Sequence, residues 1–135
     1  MFKDFDISSF KKMKPPGNNT FDTMQEIKEL ESIPLNKKFV KDNDDIEAAF
    51  KKTAKDNGVK DYDPKVAAKL ITDSAPIIIE LKKHFNRPRP KTIAKKMNIN
   101  MKDIEMDSMK TPSYPSGHSV QGILIAKALG DKHPK

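Results

Sequence analysis

Apolar residues recur every three or four positions in several stretches of the chain. From Thr20, the spacing of Phe21, Met24, Ile27 and Leu30 predicts a helix, and Pro34 ends it. A second helix fits Asn43 to Asn57, with Ile46, Ala49, Phe50 and Thr53 on one face and Gly58 as its stop. The third pattern is the strongest. Asp63-Pro64 supplies an N-cap and a proline at the first helical position. Val66, Ala67, Leu70, Ile71, Ser74, Ile77, Ile78, Leu81 and Phe85 then follow at helical spacing. Pro76 predicts a kink near Thr72 to Asp73, and Pro88 closes the helix near Asn86. Residues 91–112 read as a polar connection with room for one short helix. Its residues Met97, Met101, Met106 and Met109 suit gap-filling, or the edge of a pocket. A last helix opens at Ser116 or Gly117 and runs through Leu129, with Gly130 as its stop.

Residues 1–19 hold Pro15, Pro16 and Gly17 and read as an extended arm ahead of a single helical domain at 20–135. The 135 residues leave room for one domain. Leu, Ile, Val and Phe number 30, which permits only a thin core, so a partner or a further segment is expected to complete it. Cysteine is absent, excluding disulfides and thiolate metal sites. The first residues lack the apolar stretch of a secretory signal. No apolar run approaches the ~20 residues of a membrane helix. The expectation is a soluble chain whose location is open, with the cytoplasm or a virus particle as defaults. Asn18-Asn19-Thr20 matches a glycosylation sequon, which has little meaning without secretion.

Charge narrows the choice of partners. The net charge is +7, which favours anions, although on charge alone a solvated Lys/Asp surface is the better explanation of the balance. The basic residues are 24 lysines and two arginines, and both arginines fall in Asn86-Arg87-Pro88-Arg89-Pro90. Arginine in so lysine-biased a chain points to its planar fork, which grips phosphate or carboxylate through two bonds. The flanking prolines restrict the backbone around Arg89. Lys82 lies at the helix end and Arg89 just past it, so both side chains are able to converge on one oxyanion. A basic helix C-terminus, with Lys82, Lys83, His84 and Arg87 facing the negative dipole end, explains the same residues.

A second motif, Pro112-Ser113-Tyr114-Pro115-Ser116-Gly117-His118-Ser119, opens the last helix. Unpaired N–H groups and a positive dipole end suit a phosphate there. Gly117 permits close backbone approach, the Ser116 hydroxyl is a donor, and His118 is able to pass a proton near neutral pH. Equally, Ser116 caps the helix and His118 is a surface residue.

Together the two strings, Lys82-x6-Arg89-Pro90 and Pro115-Ser116-Gly117-His118, resemble the signature of the phosphatidic acid phosphatase/vanadium haloperoxidase superfamily. The longer runs 82–90 and 113–119 are most similar to class A bacterial nonspecific acid phosphatases, and the Pro15-Pro16 arm with its following helix resembles that family's N-terminal region. The resemblance implies an all-α helical bundle with both motifs at one end, here lacking the family's C-terminal helices. It implies that Lys82, Arg89, Ser116 and Gly117 bind phosphate oxygens and that His118 is the general acid. It implies a phosphorylated small-molecule substrate, no metal, and no cofactor beyond a vanadate or phosphate in the site. No specific nucleic acid and no membrane span are expected.

The family's third motif, Ser-Arg-x5-His-x3-Asp, is absent from the 135 residues. It would supply the attacking histidine. Asp131-Lys132-His133-Pro134 does not match it, and His84 reads as structural. The expectation is a truncated or split phosphate monoester hydrolase, inactive as this chain alone. The apolar positions Val120, Ile123, Leu124, Ala126 and Leu129 are expected to face missing helices or a second chain. The alternatives are a degenerate, non-catalytic phospholigand-binding protein and a basic nucleic-acid-binding or structural protein. Haloperoxidase chemistry would use the same pocket residues.

Overall fold

A computed structural model of the chain describes residues 2–102 and 109–132, and all the regular structure among them is helical. Met106 and His133 lie outside the described residues.

The arm is not wholly extended. Asp6 accepts hydrogen bonds from the hydroxyls of Ser8 and Ser9, and a single turn, α1 (Ile7–Phe10), forms beside it. Lys11 pairs with Glu80 at 3.0 Å, and α1 rests on the long fifth helix. Helix α2 (Phe21–Ser32) begins as its pattern predicts. Thr20 caps it by accepting from the Thr23 N–H.

The predicted 43–57 helix forms as one element, with a separate short helix ahead of it. Asn36 caps a short α3 (Lys37–Asn43) that buries no residue and that the apolar spacing did not announce. Asp45 then accepts from the Ala48 N–H and starts α4 (Ile46–Asp56) three residues later than expected. Gly58, at φ +71, terminates α4 as predicted.

Helix α5 (Pro64–Phe85) is the hub. Asp63 caps it, Pro64 occupies its first turn, and it continues through Pro76, whose ring nitrogen has no hydrogen for the Thr72 carbonyl. Asn86 takes the left-handed conformation (φ 46, ψ 40), and its N–H reaches Lys82 O at 2.7 Å, which ends the helix before Pro88. Helix α6 (Pro90–Lys96) is the short helix within the polar connection, with Arg89 at its N-cap. Helix α7 (Gly117–Lys132) runs past Gly130, the expected stop. A glycine ends a helix by adopting positive φ, and Gly130 does not.

Two apolar clusters hold these helices. Ala67, Leu70 and Ile125 join α5 to α7, with Ile46, Phe50, Leu124, Ala128 and Leu129 packed around them. Burying a side chain such as Ile125, 1% exposed, contributes about 2–3 kcal/mol. The second cluster, Ile27 with Ile93 and Ala94, joins α2 to α6, and Met97 and Met101 fill its edge. The expected outer stripe of α7 is therefore divided. Leu124 and Leu129 pack within the chain's own core, while Ile123 stands 69% exposed.

Candidate functional site

The turn after α5 decides where the two basic motif residues go. From Asn86 the chain extends through Arg87-Pro88-Arg89, and residues 111–113 run beside it. The Ser113 N–H donates to Arg87 O at 2.8 Å, and its hydroxyl donates to Pro88 O at 2.8 Å. This clamp ties the first motif to the segment that opens α7, 22 to 30 residues later in the chain.

Lys82 and Arg89 are brought together by it. The Lys82 ammonium donates to Pro112 O at 2.5 Å, although the residue is only 4% exposed. That bond uses one of its three N–H donors. The Arg89 guanidinium donates to Thr111 through Nε (to the carbonyl, 2.8 Å) and Nη2 (to the hydroxyl, 3.4 Å). Burial pushes the Lys82 ammonium below the usual lysine range, and the nearby Arg89 charge adds to the effect. Burial likewise lowers the pKa of the Arg89 guanidinium. Desolvation makes the Lys82 cation costly to keep near a second positive charge, and an anion beside it relieves the cost.

The start of α7 faces this pair. Ser116 accepts from the Ser119 N–H at 3.2 Å, so it caps the helix, and Val120 N–H bonds to Ser116 O. The N–H groups of Gly117 and His118 are then left without helical partners. A Cβ on Gly117 would sit 3.8 Å from Ile78 Cγ2 and 4.0 Å from Lys82 Cε. Those are ordinary contacts, so protein packing alone does not demand glycine there.

Lys82, Arg89, Ser116, Gly117 and His118 all line one cleft of about 230 Å³, with Thr111 and Gln121 at its polar edge and Ala75, Ile78 and Ile79 as its apolar wall. Every residue chosen from the two motifs thus lines the same cavity. His118 also lies 3.9 Å from Asp44, measured Nδ1 to Oδ1, at the α3–α4 junction.

Arg87 goes elsewhere. Its guanidinium donates to Glu26 at 2.9 Å and to Thr23 at 3.2 Å, fastening the turn to α2. The two arginines of the motif therefore divide between a structural latch and the cleft. Lys83 and His84 are exposed on the last turn of α5, as the dipole explanation predicts for them.

Thr111, Gln121 and Asp44 were not identified from sequence. Thr111 adjoins the second motif and Gln121 lies one turn beyond His118, so proximity to the motif was their only signal. Asp44 carried none. No group of three or more metal-ligating side chains occurs among the described residues, and none of their helices is long and apolar enough to cross a membrane. Comparison of the chain with protein-family models, curated proteins and solved structures finds no match.

Proposed function

We propose that this cleft binds the phosphate group of a phosphate monoester and offers it an acid, as the phosphate-binding half of a hydrolase site in a bundle of the acid phosphatase type. The observation that carries the proposal is the meeting of Lys82 and Arg89 with the N-terminal turn of α7 in one cavity. Two cations and a helix N-terminus neutralise a dianion from two sides. His118 stands at the rim, where an imidazolium N–H is able to serve a leaving oxygen. Among the described residues, the cleft lining contains no second imidazole to act as nucleophile. A covalent route would draw its attacking group from other residues or from a second chain.

The same lining favours one other reading, a protein that binds phospholigands without turnover. Calorimetry on the full chain with inorganic phosphate and vanadate tests both. Binding is expected, and Arg89→Lys should weaken it about tenfold, because lysine loses the planar fork and its two-point grip. Absence of binding to a folded chain would remove the phosphate reading. Release of alcohol from a chromogenic phosphate ester, abolished in His118→Ala, would establish the hydrolase over the binding protein.

A further inference from the structure

The α3–α4 junction brings a carboxylate to the cleft. Asp44 Oδ1 lies 3.9 Å from His118 Nδ1; the two side chains are 25% and 46% exposed. The packing of α4 on α7 sets this approach. Ile46, the first residue of α4, meets α7 at Gly122, where an added Cβ would lie 3.6 Å from Ile46 Cδ1. Ile46 is two residues from Asp44, and Gly122 is one turn from His118. Asp45, bonded to the Ala48 N–H at 3.1 Å, anchors the neighbouring backbone. Asp44 itself has unstrained helical dihedrals (φ −66, ψ −32).

We propose that Asp44 is the positioning residue of His118, accepting a hydrogen bond from Nδ1–H so that Nε2 addresses the anion in the cleft. The proposal rests on the phosphate reading given above. A separation of 3.9 Å exceeds a hydrogen bond, and contacts of this kind are often long in ligand-free sites and close in the substrate complex. Among the described residues, Asp44 lies beside the imidazole, and Lys82 from α5 and Arg89 from the N-cap of α6 line the same cleft as the ring. In the protonated ring, Nδ1–H serves Asp44 and Nε2–H serves the anion. In the neutral ring, Asp44 holds the remaining proton on Nδ1. A pair this exposed adds little to stability, so its effect lies in tautomer and ring orientation.

Long-range proton–nitrogen correlation spectra of the 15N-labelled full chain test the assignment at about pH 8, above the usual histidine pKa. Loss of signals in His118→Ala identifies the ring. The wild-type ring should show the Nδ1–H tautomer. Asp44→Ala should shift it to Nε2–H, the form free histidine favours. Asp44→Asn keeps an acceptor and should restore Nδ1–H, and Asp45→Asn should change nothing. An Nε2–H ring in the wild-type chain overturns the proposal, as does an unchanged tautomer in Asp44→Ala with helical circular dichroism intact. Should Asp44→Ala fail to fold, the wild-type and Asp44→Asn spectra decide. Titration with inorganic phosphate separates the two levels. No binding alongside an Nδ1–H ring removes the phosphate reading, and the functional role of Asp44 falls with it.

Discussion

Lys82→Met isolates the cost of holding a bare cation in the cleft. Lys82 is 4% exposed, and its ammonium lies near Arg89 and has the Pro112 carbonyl as its hydrogen-bond acceptor. Methionine matches the stem but carries no charge. The substitution forfeits one charge-assisted hydrogen bond, about 1.5–3 kcal/mol. It also removes a desolvation penalty of several kcal/mol that one carbonyl only partly offsets. The ligand-free variant should therefore be as stable as the parent, or up to about 2 kcal/mol more so. Phosphate should reverse the order. An anion that binds only the folded chain adds about 2.7 kcal/mol at a hundredfold excess over Kd. For a chain of this length that is a rise of about 10 °C in Tm. The rise should nearly vanish in Lys82→Met. The sign of the pH dependence follows from the lowered folded-state pKa. The unfolded chain binds the Lys82 proton more tightly, so this group destabilises the fold below its lowered pKa. The destabilisation is relieved as pH climbs from that value towards the ordinary 10.5. Lys82→Met should therefore flatten the alkaline part of the stability profile. Thermal melts followed by circular dichroism at several pH values, with and without phosphate, make the measurement. A ligand-free loss above about 3 kcal/mol, or an undiminished phosphate shift in the variant, would refute this account of the cleft.

Two further substitutions test the framework. Thr23 is fully buried; its hydroxyl donates to Gly17 O at 2.6 Å and accepts from Arg87 Nη2. Thr23→Val keeps the shape but removes both hydrogen bonds; Gly17 O still accepts from Thr20 and Arg87 Nη2 still donates to Glu26, so the loss should be about 1–2 kcal/mol in a denaturant titration. Gly58 has φ +71 with open space around its Cβ position, so Gly58→Ala meets strain without a clash. It should lose about 1 kcal/mol and fray the end of α4 in hydrogen exchange, with phosphate binding unchanged.

The helical character of the chain and the candidate site were legible in sequence because both are written in local code. Proline, glycine and capping residues mark helix ends. The spacing of apolar residues marks α2, α5 and α7, and two short motifs mark Lys82, Arg89, Ser116, Gly117 and His118. Helix α3 left no such mark, since it buries nothing and stands on an Asn36 cap. Gly130 misled as a stop signal because glycine permits positive φ without requiring it.

Tertiary structure alone decided how residues of like chemistry divide their work. Nothing in Arg87-Pro88-Arg89 says that one guanidinium fastens to α2 while the other enters the cleft. That depends on Ser113 pairing with the turn and on Glu26 waiting across the α2 interface. Nor does Asn43-Asp44-Asp45 say that its middle carboxylate stands by His118, since the approach arises where Ile46 meets Gly122. Local propensity determines which helices form. Which polar groups meet is set by packing between segments far apart in the chain.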